Sequence, residues 1–117
     1  MTPQADCLFC GIAAGRIPTD LLREDDHTLA FRDINPQAPA HVLVIPRKHL
    51  TSLDDSGPDD AQLLGSLMAA ARDVARTEGL VESGYRMVIN TGDDGGQTVG
   101  HLHLHILGGR PMTWPPG

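Results

Sequence analysis

Near the C-terminus, residues 101–107 read HLHLHIL, with three histidines separated by single aliphatic residues. Successive side chains of a β-strand point to opposite faces, so this spacing puts the three imidazoles on one face and aliphatic side chains on the other. In a helix the same residues would be scattered around the circumference. A histidine-rich surface strand would share the pattern, but the regular triplet followed by Gly108-Gly109 favours a functional site. The segment predicts a strand with one face in the core and the other bearing imidazoles.

The length and composition are those of a small globular protein. With 117 residues the chain can bury one hydrophobic core, which predicts a single domain over 1–117 with 110–117 as a C-terminal tail. No apolar stretch is long enough to span a bilayer, and residues 1–6 lack the pattern of a secretory signal. A net charge of −6 argues against binding to nucleic acid or to a membrane surface. Because Cys7 and Cys10 lie too close in sequence to cross-link the fold, we expect a cytoplasmic protein.

Hydrophobic patterns predict five short strands, one main helix and a short N-terminal helix or turn. The short helix or turn covers residues 8–14 and ends at Gly15. The main helix follows Ser56 and Asp59, which resemble a capping box, and it ends at Gly79. Its core stripe is predicted at Leu64, Leu67, Met68, Ala71, Val74 and Ala75. The strands are predicted at 21–24, 28–32, 41–45, 85–90 and 101–107. Together these elements predict an α+β fold, an antiparallel sheet with the main helix on one face.

A glycine-rich loop, NTGDDGGQT at residues 90–98, precedes the histidine segment. Glycines let several backbone N–H groups turn toward one point and bind an anion, and Gln97 and Thr98 add neutral donors. Taken alone, the loop is also compatible with an ordinary connector. No lysine or arginine lies between Met87 and Gly109. A phosphate bound here would therefore be held by imidazoles, N–H groups and neutral side chains.

The histidine segment and several other blocks resemble the histidine triad (HIT) superfamily, and most closely its Hint branch of purine nucleoside phosphoramidases. His-apolar-His-apolar-His-apolar-apolar is the signature of that superfamily. The supporting blocks are AFRDI (30–34), PQAP (36–39), HVLVIP (41–46), GGQT (95–98), GGRPM (108–112) and WPPG (114–117). They fall in order and at matching spacings from about Cys7 to Gly117. The resemblance implies a HIT-like fold.

The resemblance also implies nucleotidyl transfer at the α-phosphate of a purine nucleotide, with His103 as the nucleophile. Attack by a neutral imidazole would form a nucleotidyl-histidine, whose P–N bond is similar to the one broken in a phosphoramidate substrate. Water would then resolve the intermediate. His105 and Thr98 are expected to contact the phosphate or the leaving group, and His101 completes the catalytic set. No organic cofactor is expected.

By the same resemblance, several segments contribute to a nucleotide pocket. Asp33 would accept hydrogen bonds from the ribose hydroxyls, although by itself it is equally typical of a capped turn before Pro36. Asn90, Gly96 and Gln97 would contact the phosphate or the sugar. The base pocket would be lined by apolar residues that are otherwise ordinary core: Leu8, Phe9, Ile12, Ile17, Phe31 and Ile34.

Two further expectations follow from the family pattern. The family forms a two-fold dimer whose C-terminal tails reach toward the partner's active site, which predicts a homodimer with Trp114 near the leaving group. An indole in an isolated proline-rich tail would be exposed, and a disordered tail is the alternative. His41 matches a histidine beside the triad that fixes a tautomer, and a buried structural histidine is its alternative.

Cys7 and Cys10 form a Cys-x-x-Cys pair that animal Hint proteins lack and many bacterial histidine-triad proteins carry. In those proteins the pair resembles half of a zinc site, completed by two histidines that correspond to His49 and His101. The resemblance implies a structural Cys2His2 zinc with no position left for a catalytic water. Two unligated thiols are one alternative. A redox Cys-x-x-Cys is another, disfavoured because no strand precedes Cys7.

Two other functions stay open. A dinucleoside polyphosphate hydrolase of the same superfamily is disfavoured by the WPPG ending at 114–117. A non-catalytic regulatory protein that binds purine nucleotides would keep the same pocket.

Overall fold

Five strands pair into one sheet in the computed structural model, which describes residues 6–117. The elements are α1 (Leu8–Ala13), β1 (Leu21–Glu24), β2 (Thr28–Arg32), β3 (Ala40–Pro46), α2 (Ala61–Thr77), β4 (Tyr85–Val88) and β5 (Leu104–Gly108). Within the described residues the strand order is β1-β2-β3-β5-β4, and neighbouring strands are antiparallel. The predicted fold, an antiparallel sheet with one main helix and one short helix, is confirmed.

Helix α2 packs on one face of the sheet and forms the larger core. Leu102, Leu104 and Ile106 of the histidine segment enter this core, and each is at most 1% exposed. The α2 side chains buried with them are Leu67, Ala70, Ala71, Val74 and Ala75. The predicted aliphatic face of the histidine segment is therefore confirmed, and the alternation sends its imidazoles to the opposite side of the sheet.

Helix α1 lies on that opposite side. Its Phe9 packs against Phe31 of β2 in an edge-to-face arrangement, with ring centroids 5.6 Å apart. Leu29, Leu43 and Ile45 complete this second buried cluster. The sheet thus separates two cores, and the imidazoles of the triad lie on the side covered by α1.

The last strand is shorter than the alternating sequence predicts. Its ladder with β3 ends at the pair Val44 and Leu104, so His101 and His103 precede the strand. Two contacts explain the early end. Pro46 has no N–H to donate, and its carbonyl oxygen lies 2.9 Å from Nε2 of His101. The backbone N–H of Leu102 donates to the carbonyl of Leu50 in a separate loop. Strand β4 likewise ends at Val88 rather than at residue 90.

The start and the stripe of α2 also differ from the prediction. A 3₁₀ turn, Pro58–Asp60, leads into the helix, and the carboxylate of Asp60 accepts the N–H of Gly57 at 2.9 Å. The predicted caps Ser56 and Asp59 are wrong, because the hydroxyl of Ser56 donates to a carbonyl of the preceding turn. Met68 is 48% exposed and lies outside the core stripe. Among the described residues, no helix has both the length and the apolar character needed to cross a membrane.

Candidate active site and metal cluster

A pocket of about 680 Å³ opens on the α1 side of the sheet. Its apolar walls include Leu8, Phe9, Ile12, Ile17, Phe31, Leu43 and Val99. Its polar groups include Asp33, Asn35, Gln37, His41, Thr98, His103 and His105. Apolar walls with a few convergent polar groups are typical of small-molecule sites. The structure therefore brings together most of the residues that the sequence assigned to a nucleotide pocket, including Ile34 at the rim.

His103 presents one ring nitrogen to this pocket because the other is committed to the backbone. Its Nδ1 lies 2.7 Å from the carbonyl oxygen of His101. A carbonyl oxygen can only accept, so the proton of the neutral ring is on Nδ1, and Nε2 carries a lone pair. The ring is 6% exposed and is packed edge-to-face against Phe9, with centroids 5.3 Å apart. The geometry suits an uncharged nitrogen nucleophile held in one orientation.

His105 receives its orientation from His41. The backbone N–H of Gln37 donates to Nδ1 of His41 at 3.0 Å, so neutral His41 carries its proton on Nε2. That atom lies 2.9 Å from Nδ1 of His105 and therefore donates to it. By the same reasoning, neutral His105 carries its proton on Nε2. His105 is thus a hydrogen-bond donor at the pocket wall.

The electrostatic environment keeps these two histidines neutral. Burial lowers the pKa of His105 to about 4; the neighbouring imidazoles of His103 and His41 also disfavour a positive charge here, and Asp33 opposes the shift. Burial also lowers the pKa of His41 against the opposing charge of Asp33. One oxygen of Asp33 lies 3.5 Å from Nε2 of His41, and the other accepts the N–H of Asn35 at 2.8 Å. Asp33, His41 and His105 lie close enough together to hold a cation. However, Nε2 of His41, the atom that a cation would need, already carries a proton.

Gln97 shapes the glycine-rich loop rather than the pocket. Its side-chain amide donates to the carbonyls of Thr51 at 2.7 Å and Val99 at 3.0 Å, and its amide oxygen accepts the N–H of Gly92. Its own backbone N–H returns to the carbonyl of Gly92 at 3.1 Å. The residue therefore ties the loop to the segment that follows His49.

Asn90 and Gly96 also make bonds inside the loop. The Asn90 side chain donates to the carbonyl of Gly95 at 2.6 Å, and the N–H of Gly96 donates to the carbonyl of Asp93 at 3.0 Å. The N–H groups of Gly96 and Gln97 therefore donate to loop carbonyls in this structure, and the anion nest expected of the loop stays a prediction. Of the loop residues that the sequence singled out, the structure brings Thr98 to the pocket wall.

Cys7, Cys10, His49 and His101 converge below the pocket. Cys7 caps the N-terminus of α1, and Cys10 lies one turn later. Nδ1 of His101 is 3.4 Å from Sγ of Cys7 and 3.5 Å from Sγ of Cys10, and Nδ1 of His49 is 3.2 Å from Sγ of Cys10. All four ligand atoms lie within 4.8 Å of one another. The four residues, separated by up to 94 positions, thus form one compact donor set.

This donor set fits a tetrahedral zinc ion. Zinc–sulfur bonds of about 2.3 Å and zinc–nitrogen bonds of about 2.0 Å place tetrahedral S and N ligands roughly 3.5 Å apart. The contacts of His101 with the two sulfurs match this spacing. Nε2 of His101 donates to the carbonyl of Pro46, which leaves a lone pair on the Nδ1 that faces the sulfurs. The cluster is therefore compatible with a zinc site.

The C-terminal tail holds Trp114 away from the pocket of its own chain. Trp114 is 82% exposed, and the tail is attached by Arg86, which donates to the carbonyl of Thr113 at 2.9 Å. On its own chain Trp114 is not among the residues that line the pocket.

The sequence did not predict the role of Gln37. This residue acts through its backbone N–H, which the residue type does not reveal, and only the PQAP block pointed to this loop.

Comparison with known proteins decides the family. The family model described as HIT domain matches residues 14–112. The chain belongs to the HIT family. An uncharacterized HIT-like protein from Synechocystis sp. is 53% identical over 112 residues, which cover 96% of this chain and 97% of that protein.

Solved structures of the HIT family share this architecture. A HIT family hydrolase from Legionella pneumophila is 54% identical, with a TM-score of 0.93 and coverage of 96% of this chain and 100% of that chain. A histidine triad nucleotide-binding protein from Candida albicans is 32% identical, with a TM-score of 0.79 and coverage of 94% and 83%.

Proposed function

We propose that this HIT-family protein is a hydrolase of the Hint branch that cleaves the P–N bond of purine nucleoside 5′-phosphoramidates, aminoacyl adenylates being related substrates. The observation that carries the proposal is the Nε2 lone pair of His103, which its Nδ1–H bond to the His101 carbonyl directs into the pocket. The similar solved structures described as a hydrolase and as a nucleotide-binding protein support the same reaction class.

In the first step, Nε2 of His103 attacks the α-phosphorus. A bond from nitrogen to phosphorus forms, the bond from phosphorus to the substrate amine breaks, and the amine leaves with a proton. Positive charge develops on the imidazole, and the carbonyl of His101 stabilises it through the Nδ1–H bond. In the second step water attacks phosphorus, which releases the nucleoside monophosphate and returns His103 to its neutral form.

His105 and Thr98 act on the phosphate and the leaving group. The Nε2–H of His105 donates to an oxygen of the phosphate, where negative charge grows in the transition state. The chain of bonds behind His105 runs through His41 and ends at the backbone N–H of Gln37, which cannot release a proton. The net proton for the leaving amine therefore comes from water at the pocket mouth, and His105 contributes orientation and charge stabilisation.

The rest of the pocket binds the nucleoside. Asp33 accepts hydrogen bonds from the ribose hydroxyls through the oxygen that faces His41, since its other oxygen is held by Asn35. The purine lies against the apolar wall, where Phe9 and Phe31 offer aromatic surface.

The Cys7, Cys10, His49 and His101 cluster is proposed to bind one structural zinc, as in the zinc-carrying bacterial type. Zinc would cross-link α1 to the segments after β3 and before β5 and would stabilise the folded state. With four protein ligands, the ion leaves no coordination position for a substrate.

We further propose that residues 1–117 form a single domain that works as a cytoplasmic homodimer. An 82% exposed Trp114 is an unfavourable surface for an isolated chain, and placement against a partner's pocket would cover it.

The proposed activity is tested with a nucleoside phosphoramidate that releases a fluorescent amine. We expect His103→Ala to lower kcat at least about a thousandfold while AMP binding is retained. His27→Ala is the matched control, because this histidine is exposed and lies outside the pocket. Equal turnover by wild type and His103→Ala would exclude His103 as the nucleophile. AMP binding without turnover by wild type would favour the non-catalytic nucleotide-binding function, and turnover of diadenosine polyphosphate alone would favour the other branch.

A further inference from the structure

We propose that Cys7 and Cys10 are a site of oxidative modification, and that their closure into a disulfide disables the nucleotide site through His101 and Phe9. The two sulfurs are already close, since all ligand atoms of the cluster lie within 4.8 Å of one another. Neither cysteine is in a disulfide in the described structure. The pair therefore needs only a local change at the start of α1 to form a bond of about 2.0 Å.

A soluble oxidant can reach Cys7. Cys7 is half-buried and lines a second pocket of about 360 Å³, together with Asp6, His49 and Gly100. Cys10 lies fully buried behind it. An accessible thiol beside a protected second thiol is the arrangement in which an oxidised first cysteine is resolved by its neighbour. The same pocket shares Thr98 with the nucleotide pocket, so the two openings are adjacent.

The reaction balances with a peroxide as the oxidant. The sulfur of Cys7 attacks one oxygen of hydrogen peroxide, the O–O bond breaks, and a sulfenic acid and one water result. The sulfur of Cys10 then attacks the sulfur of Cys7, the S–O bond breaks, and a second water leaves. Overall the two thiols lose two electrons and two protons, and the peroxide is reduced to two waters.

Disulfide formation would remove half of the metal ligands. The sulfurs move toward each other and away from Nδ1 of His101, which they contact at 3.4 and 3.5 Å. The two remaining ligands, His49 and His101, are too few to complete a tetrahedral zinc site. The 0% exposed ring of His101 then loses the partners of one of its two nitrogens.

His101 transmits this change to the nucleophile. Its ring belongs to the cluster, while its carbonyl oxygen accepts the Nδ1–H of His103 at 2.7 Å. Phe9 adds a second route, because it lies in sequence between the cysteines and packs against both rings, at centroid distances of 5.8 Å to His101 and 5.3 Å to His103. A change at the cysteines therefore displaces both the wall of the pocket and the group that fixes the His103 tautomer.

The test begins with zinc-loaded, reduced protein, which is treated with hydrogen peroxide and compared with protein that is then treated with a dithiol and zinc. We expect loss of two hydrogen atoms by mass, release of zinc to a chromogenic chelator and a fall in AMP affinity of at least about tenfold, all reversed by the dithiol and zinc. On oxidation, the ¹⁵N chemical shifts of the His103 ring should no longer be those of an imidazole with its proton on Nδ1. Unchanged AMP affinity and unchanged His103 shifts in fully oxidised protein would overturn the coupling.

A Cys7→Ser/Cys10→Ser double variant is the control for oxidation elsewhere, because the chain also has 4 methionines. Whatever its initial AMP affinity, peroxide should not change it, and an equal fall in this variant would overturn the assignment to the cysteines. The nucleotide readouts depend on the proposed function, whereas mass, zinc release and the His103 shifts do not. Reduced protein that neither binds AMP nor turns over substrate would therefore refute the proposed function, and the other three readouts would still decide this inference.

Discussion

The guanidinium of Arg110 donates two hydrogen bonds to the main-chain oxygen of Gln37, from Nη2 at 3.0 Å and from Nε at 3.3 Å. The preceding Gly109 has a φ of +89° and packs so closely on Pro39 that an added Cβ would meet that ring at 2.8 Å. The start of the C-terminal tail therefore holds the loop that presents the Gln37 N–H to His41. An exposed arginine outside the pocket thus supports the orientation of His105.

We expect Arg110→Ala to lower kcat about fivefold with a smaller change in KM, because the loop loses its charged anchor and His105 is less well oriented. Arg86→Ala is the matched control, since Arg86 also anchors the C-terminal tail but donates to the carbonyl of Thr113 rather than to that of Gln37. Steady-state kinetics with a phosphoramidate measure kcat and KM for the two variants. An equal fall in kcat for the two variants would assign the effect to the tail as a whole.

His105 should make the folded state sensitive to acid. Its pKa is about 4 when folded and about 6.5 when unfolded, so the unfolded chain binds more protons between these values. The free energy of unfolding should therefore fall as the pH drops from 6.5 to 4. Below pH 4, His105 should no longer contribute to the dependence of this free energy on pH. His105→Gln, whose amide does not titrate, should show a shallower fall in urea titrations of reduced protein in chelator. An identical slope in both proteins would contradict the buried, neutral His105.

Asp33→Asn should weaken AMP binding about tenfold, because the position that accepts the ribose hydroxyls in the carboxylate becomes an NH2 group, which cannot accept. The amide keeps an oxygen for the N–H of Asn35, so the turn should persist. Calorimetric titration with AMP and with 2′,3′-dideoxy-AMP separates the effects. The dideoxy nucleotide should bind equally to both proteins, and a tenfold loss for it as well would place Asp33 away from the ribose.

Metal analysis of protein purified without chelator should find one zinc per chain. Removing zinc should lower Tm by about 10 °C, because the cluster joins segments that are distant in sequence. His49→Ala should bind zinc more weakly and melt earlier, whereas His27→Ala should match wild type. Protein that contains no zinc and whose Tm does not respond to added zinc would refute the proposed zinc site.

Trp114 is the single tryptophan of the chain, so its fluorescence reports on the tail. A homodimer should elute with twice the 12.5 kDa of one chain, and its emission should shift to the red on dilution as the indole becomes solvated. Trp114→Ala should raise KM about fivefold for substrates with aromatic leaving amines and little for small amines. Concentration-independent emission from an exposed indole would argue against a partner over this residue.

Local periodicity predicted much of this molecule. The alternation from Leu102 to Ile106 was sufficient to assign the buried face, because period two is a property of the strand itself. The start of the strand was not predictable in the same way. It depends on the carbonyl of Pro46, which a histidine side chain 55 residues away occupies.

The site was predicted least well where residue type and contact diverge. In the sequence, Gln97 is typical of a residue that donates a hydrogen bond to phosphate. In the structure, its side-chain amide donates to the carbonyl of Thr51, 46 residues away. Gln37 acts through its backbone N–H, which any residue except proline would supply. In contrast, Cys10 and His101 could be assigned to one ligand set before the structure, because the resemblance to bacterial histidine-triad proteins implies it.

The short helix Leu8–Ala13 has a practical consequence for redesign. Phe9 lies between the two cysteines in sequence, so enlarging the proposed base pocket by shortening this side chain would also loosen the cluster of Cys7, Cys10, His49 and His101. Ile12 lines the same pocket, lies beyond Cys10 and is only half-buried. Engineers who want this protein to accept larger bases should therefore vary Ile12 first and leave Phe9 intact.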